Sequence, residues 1–312
     1  MSARQTPDSN QPDQKPDEAT RSGVVIVNYG KNLLVEDDDG TLHQCVARRG
    51  LQQLVCGDSV DWMPTGQQAG VVERLHPRNT VLLKADGRNR QRPLAANFDQ
   101  VVIEAATEPA MDAFLIDKYT VAAELAGANP LIIVNKADLL TDEDRRSIET
   151  LMQEYRAIGY RHLFTSALKN TGIDAFREQL TGRTSILVGQ SGVGKSSLIK
   201  RLLPDQDITV GKLSAASGLG KHTTTTTTLY HLPEGGNLID SPGVRDFRLG
   251  EVDPNTLGNG FREFLPHLGQ CRFNDCLHLG EPGCAVIEAV DAGRISERRM
   301  QSYRRLQSQS AV

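Results

Sequence analysis

Aromatic side chains are scarce. They make up 5% of the residues, tryptophan occurs once, and Tyr29 and Trp62 are the only Phe, Tyr or Trp residues before Phe98. A surface that holds nucleic acid by stacking bases is therefore poorly supplied in the first third of the chain. An excess of positive charge is missing too. The formal net charge of −4 excludes a protein that coats nucleic acid through bulk charge and leaves local patches as the route to RNA. No segment approaches the roughly 18 consecutive apolar residues that a membrane span needs. The opening "MSARQTPDSNQPDQKPDEATRS" lacks the apolar centre of a secretory signal. Rich in Pro, Asp, Gln and Ser, it cannot offset the entropy of ordering, so residues 1–22 are expected to form a disordered tail. A cytoplasmic monomer with no membrane partner is the expectation. Cysteines number five, three of them close together; in a reducing compartment such clustering suggests metal rather than disulfides.

What is present falls into blocks. Residues 23–83 carry short β-branched or alternating runs, "GVVIVNYGKNLLVE" and "TLHQCVARRG" among them, separated by turn signals such as "DDDG". About five short strands in about sixty residues predict a small closed barrel, with an OB-fold as the commonest solution. Cys45 and Cys56 fall inside it and read as core fillers. From "FDQVVIEAA" onward, strands alternate with helices: "FLIDKYTVAAELAG", "PLIIVNKAD", "TDEDRRSIETLMQEYRAIG", "HLFTSA", "GIDAFREQL" and "TSILVG". That rhythm predicts a mostly parallel sheet covered by helices on both faces. After residue 248 it gives way to a short helical stretch, a Cys/His cluster and an Arg-rich terminal helix. The predicted division is a tail over 1–22, a barrel over 23–92, an α/β domain over 93–247 and a mainly helical metal domain over 248–312.

The segment "GQSGVGKSS" follows a predicted strand, precedes a predicted helix and fits G-x-x-x-x-G-K-[ST]. In such a loop the backbone N–H groups of Gly189, Gln190, Ser191, Gly192, Val193, Gly194, Lys195, Ser196 and Ser197 can wrap phosphates, helped by the helix N-terminus. Lys195 would neutralise the β- and γ-phosphates, and the Ser196 hydroxyl would coordinate Mg²⁺. "NLIDSPG" supplies Asp240 for Mg²⁺ and the Gly243 N–H for the γ-phosphate. Between them, "SGLGKHTTTTTT" offers Thr223 or Thr224 as a Mg²⁺ ligand held only while the γ-phosphate is present. In "VNKAD", the Asp138 carboxylate can accept from guanine N1–H and N2–H₂ together; adenine would leave it unpaired. Asn135 would brace the loop, Lys136 would lie along the base, and "TSA" would place Ser166 beside the site and offer the Ala167 N–H to the base oxygen. These elements occur in the order base, base, phosphate, switch, switch. A domain whose natural termini were joined at "TGRT", and whose chain was opened after DSPG, accounts for that order.

"CRFNDCLHLGEPGC" places Cys271, Cys276, His278 and Cys284 at C-x4-C-x-H-x5-C, a closed tetrahedral Zn²⁺ set. The metal is expected to fold a segment too short to build a hydrophobic core. Two basic patches, "KADGRNRQR" with Arg88, Arg90 and Arg92, and "RISERRMQSYRR" with Arg298, Arg299, Arg304 and Arg305, are either solvated surface or RNA contacts.

With this permuted order, the barrel before it and the Cys₃His cluster after it, the chain resembles the RsgA (YjeQ) family of circularly permuted GTPases over about residues 23–300. The resemblance implies an N-terminal OB-fold, a central GTPase domain and a C-terminal zinc domain. It also implies late maturation of the small ribosomal subunit, with ribosomal RNA gripped by the flanking domains and GTP hydrolysis stimulated by the subunit. Where many GTPases place a water-orienting Gln after the DxxG glycine, this chain has Val244. His222 in the switch loop is the hypothesised substitute. The alternative class is an RNA-bridging binding module in which guanine nucleotide is a structural ligand and hydrolysis is incidental.

Overall fold

The computed structural model describes residues 20–85, 90–204, 226–241 and 252–310. The expected strands appear between residues 21 and 75. They are β1 (Arg21–Asn28), β2 (Leu33–Asp37), β3 (Leu42–Ala47), β4 (Ser59–Gly66) and β5 (Ala69–Leu75). β1 pairs with both β2 and β4, β2 with β3, β3 with β5 in parallel, and β5 with β4. The circuit 1-2-3-5-4-1 closes on itself, so the barrel leaves no free edge among these strands. Alternation puts Val25, Leu33, Val35, Cys45, Val60, Trp62 and Val72 inside, all nearly or wholly buried. Trp62 is thus a core residue and offers no stacking face to a base. Arg21 and Ser22, expected in the tail, open β1 instead.

Past the barrel, β6 (Val81–Ala85) and β7 (Gln91–Ala96) form an antiparallel hairpin. The expected domain boundary at 92/93 therefore falls within a strand, because the two ends of the basic patch, Lys84 and Arg92, pair with each other across the hairpin. The α/β region contains β8 (Gln100–Ala105), α1 (Ala113–Leu125), β9 (Asn129–Val134), α2 (Asp142–Ala157), β10 (Arg161–Phe164) and α3 (Ile173–Leu180). It continues through β11 (Thr184–Gly189), α4 (Lys195–Leu202), β12 (Thr228–His231) and β13 (Asn237–Asp240). The strand order is β10-β9-β8-β11-β13-β12, parallel throughout except for the last pair. Wholly buried runs such as "VVI" in β8 and "LIIV" in β9 suit a sheet covered on both faces. Local signals fix the helix starts: Asp112 caps α1 through the N–H groups of Phe114 and Leu115, and Thr141 with Asp144 forms a capping box on α2. Edge strand β12 meets β1 at Val27↔Thr228, so barrel and sheet are hydrogen-bonded together.

The C-terminal segment has a core after all. Leu257, Phe261, Phe264, Val286, Ala289, Met300, Tyr303 and Leu306 are buried together with Val121 of α1. The sequence estimate failed because this core is assembled partly from α5 (Ala285–Asp291) and α6 (Glu297–Ser310) and partly from the α/β region. α1 is consequently apolar on two sides, one against the sheet and one against this core.

Candidate nucleotide site and metal centre

The NKAD, TSA and GQSGVGKSS segments meet at one end of the parallel sheet, where β10, β9, β8 and β11 terminate side by side. Asn135, at the end of β9 and 1% exposed, joins them. Its Nδ2 donates to Val193 O in the phosphate loop at 3.2 Å and to Glu104 Oε1 at 2.8 Å. Its Oδ1 accepts from Thr165 Oγ1 and from the Ala167 N–H, both at 3.3 Å. Asn135 therefore ties the TSA turn to the phosphate loop and to β8. In this state the Ala167 N–H is directed at Asn135. Lys136 takes a left-handed conformation (φ 57°) and its Nζ donates to Glu108 O at 2.5 Å. The turn projects Asp138 to the surface, where Ser166 Oγ donates to its Oδ1. Arg201 of α4 donates to Ala167 O at 2.7 Å, fastening the TSA turn to the helix that follows the phosphate loop.

Residues 189–197 form the expected strand-to-helix loop between β11 and α4. Gly194 is held at φ 120°, and a Cβ there would stand 2.3 Å from Asn135 Nδ2 and 3.1 Å from Glu104 Oε1. Side chains are barred at this position both by conformation and by space. Lys195 Nζ donates to Gly189 O and Gln190 O, each at 2.6 Å, placing the ammonium on the loop itself. Ser191, Gly192, Ser196 and Ser197 are exposed at the loop surface, whereas Val193 is buried. Asp240 ends β13 in register with Leu187 of β11. Burial raises its pKa, and the Lys195 charge opposes that shift. Ser241 beside it shares a 3.1 Å hydrogen bond with Thr227, just ahead of β12. His222, Thr223, Thr224, Gly243 and Val244 lie outside the described residues, as does Arg88.

Glu104 is a site residue that sequence reading missed. It reads as one residue of the buried strand "VVIEAA", yet its carboxyl, 2% exposed, lies between the base and phosphate loops. Burial pushes it up to about 7, against the Asn135 hydrogen bond and the charges of Lys195 and Lys136. An acid within an apolar strand was the available signal.

Cys271, Cys276, His278 and Cys284 bring one ligand atom each to within 4.8 Å of one another, a set that could hold a metal ion. His278 Nδ1 stands 3.5 Å from Cys271 Sγ and 3.3 Å from Cys284 Sγ, and the two sulfurs are 3.9 Å apart. His278 itself is left-handed (φ 59°), an uncommon state for a residue with a side chain, and this brings its ring back toward the thiols.

The arginine patches divide. Arg90 and Arg92 are exposed on the β6–β7 hairpin. Arg304 pairs with Glu297 at 3.1 Å on the exposed face of α6, and Arg305 lies 3.8 Å over the Phe114 ring. Arg298 binds Asp117 and Glu154, each at 2.7 Å. Arg299 corrects the RNA expectation. Its side chain is 0% exposed and paired with Asp117 at 2.8 Å and Glu263 at 2.5 Å, so it cannot reach a phosphate.

The RsgA GTPase family model matches residues 75–250. A protein from Chromohalobacter salexigens described as a small ribosomal subunit biogenesis GTPase is 50% identical over 290 residues, covering 92% of this chain and 85% of the relative. A protein of the same description from Sodalis glossinidius is 47% identical over 300 residues, covering 94% and 87%. Among solved structures, YjeQ from Thermotoga maritima superposes with a TM-score of 0.75 at 31% identity, covering 94% of this chain and 99% of that one. YloQ, described as a circularly permuted GTPase, gives 0.73 at 25% identity, covering 96% and 98%. With the NKAD and TSA segments preceding the phosphate loop on one continuous sheet, and with likeness along nearly the whole chain, this protein belongs to the RsgA GTPase family.

Proposed function

We propose that the protein hydrolyses GTP while bound to the small ribosomal subunit late in its maturation, with turnover stimulated by the subunit. The observation that carries this reading is the double role of Asn135, whose one side chain spans the guanine-reading turn and the phosphate loop. Specificity for guanine and capture of its phosphates are thereby built on a single hydrogen-bonded unit. In the bound state Asp138 accepts from the guanine edge, and Lys195 leaves the loop carbonyls for the β- and γ-phosphates. Ser196 and Asp240 hold Mg²⁺, which neutralises phosphate charge. Gly243 and Thr223 or Thr224 complete the γ-phosphate shell, and His222 orients the attacking water in place of Val244. The names of the relatives support the ribosomal setting.

Cys271, Cys276, His278 and Cys284 hold a structural Zn²⁺. Zn–S bonds of about 2.3 Å and Zn–N bonds of about 2.0–2.1 Å imply ligand edges of about 3.5–3.8 Å. The observed separations of 3.3, 3.5 and 3.9 Å lie close to those values. Ribosomal RNA is contacted by Arg88, by Arg90 and Arg92 on the β6–β7 hairpin, and by Arg304 and Arg305 on α6, with Arg298 at the edge of that face. The protein acts as a monomer in the cytoplasm.

The decisive measurement is GTP turnover by the purified protein alone, with small subunits and with large subunits. Stimulation by small subunits alone is expected. Absence of stimulation by either would favour the RNA-bridging module in which nucleotide is a structural ligand.

A further inference from the structure

Glu104 occupies the centre of the nucleotide site without a part in the scheme above. It lies in register with Gly189, the first residue of the phosphate loop. A Cβ on Gly189 would stand 2.3 Å from Glu104 O and 3.3 Å from Glu104 Cβ, so the loop folds directly against this residue. One carboxyl oxygen, Oε1, accepts from Asn135; the other, Oε2, is buried with no hydrogen-bond partner among the described residues. A buried carboxylate with one bare oxygen is costly unless cations compensate it. Two do, Lys195 from α4 and Lys136 from the turn after β9. Asp240 shares the Lys195 charge, and Asp112 lines the same small pocket beside the loop. Lys195 is the cation that phosphates would draw away.

We propose that Glu104 is a positioning residue that couples nucleotide binding to uptake of a proton. The inference rests on the nucleotide-site reading above. With the phosphate loop free, the carboxylate is stabilised by Lys195. When phosphates engage Lys195 and bring negative charge to the loop, a solvent proton adds to Oε2. The resulting carboxylic acid keeps Oε1 as the acceptor for Asn135, so the brace between base and phosphate loops survives while a repelling charge is removed. Burial has already brought the carboxyl to about 7, so the exchange falls in the neutral range. Binding that raises a pKa takes up protons between the free and bound values, so affinity falls as pH rises through that window.

The test is titration calorimetry of the full chain with Mg²⁺ and GDP at about pH 7.5, in two buffers of different ionisation enthalpy, with Kd followed from about pH 6.5 to about pH 8.5. For the wild type, net uptake of a substantial fraction of a proton is expected. Kd should weaken severalfold per pH unit, with about tenfold as the ceiling for one proton. Glu104→Gln should retain the brace, lose that uptake and bind GDP more tightly than wild type at the alkaline end. Glu104→Val, lacking the acceptor, should bind weakly at every pH. Wild-type binding without proton uptake would overturn the proposal, as would equal uptake in Glu104→Gln. So would a Gln variant that behaves like Val, which would reduce Glu104 to a structural brace. No GDP binding at all would instead remove the nucleotide-site reading, and this inference with it.

Discussion

Asp138 is exposed, but it is not loose, because Ser166 donates to its carboxylate and orients it before a base arrives. Asp138→Asn replaces an acceptor by an amide that meets the guanine N–H groups with its own donor. The cost should be about 3 kcal/mol, roughly a hundredfold in GTP affinity. Xanthosine triphosphate, which carries a carbonyl where guanine carries an amine, should bind the variant better than the wild type. Competition against a fluorescent guanine nucleotide measures both, and unchanged GTP affinity would contradict the assignment. The places of Asp138, Lys195 and Asp240 at one end of the sheet were legible because each belongs to a short motif that is complete within a few residues. Glu104 and Arg299 were not. Glu104 gains its meaning from Asn135 and Gly194, which parallel strands bring to it from 31 and 90 positions away. Arg299 looked like a surface cation because its partner Asp117 lies 182 positions back in the chain. No periodicity within α6 announces that partner.

Two elements carry predictions of their own. In the Cys/His segment, the buried cluster of Phe261, Phe264, Met300 and Tyr303 includes Cys284 and packs against Cys271 and Cys276, but its other buried members lie outside residues 271–284. Cys276→Ala, or prolonged chelation, should therefore release zinc and raise amide exchange across residues 271–284 while α6 stays protected. Loss of protection through α6 would show that the metal, not the core, holds the domain. In β12, His231 bridges the sheet to the barrel, with Nε2 2.6 Å from Glu36 Oε2 and Nδ1 2.7 Å from Asn237 Oδ1. The Glu36 partnership raises its pKa above the ordinary 6.5. A raised pKa means that the contribution is fully present below about 6.5 and disappears as pH rises through the folded value. The His231 side chain is 60% exposed, so solvent screening holds the pair to less than about 1 kcal/mol. The difference in urea midpoint between wild type and His231→Gln should be measurable near pH 6 and shrink as pH rises through the folded value. A difference that grows with pH would reverse the assignment. The barrel strands around this contact were legible from alternation and turn residues. The β6–β7 pairing was obscured because "DGRNRQ" reads equally well as a linker.

Across the whole molecule, the permuted order lets a helix beyond the Cys/His segment lock onto the first helix of the GTPase sheet. Asp117 of α1 accepts from Arg298, Arg299 and Ser302 of α6, and Tyr155 of α2 donates to the same carboxylate. The C-terminal domain is thus keyed into the element that follows β8, the strand paired directly with β11, which leads into the phosphate loop. Burial divides the arginines of α6. Arg299→Ala removes a buried cation from between Asp117 and Glu263 and should cost about 3 kcal/mol, the lower end of the range for such losses, because Arg298 still serves Asp117. Arg304, paired with Glu297 but 43% exposed, should cost less than about 1 kcal/mol when replaced by Ala. Subunit binding should show the opposite ranking. Each phosphate contact contributes about one counterion to the salt dependence of affinity, so Arg304→Ala should weaken binding and flatten the slope of log K against log salt by roughly one. Arg299→Ala, where still folded, should leave that slope unchanged. Urea denaturation and filter binding over a salt series separate the two roles on one helix. If Arg304→Ala left the slope intact, the α6 face would have to be withdrawn from the RNA surface, leaving the hairpin with Arg90 and Arg92 to carry it.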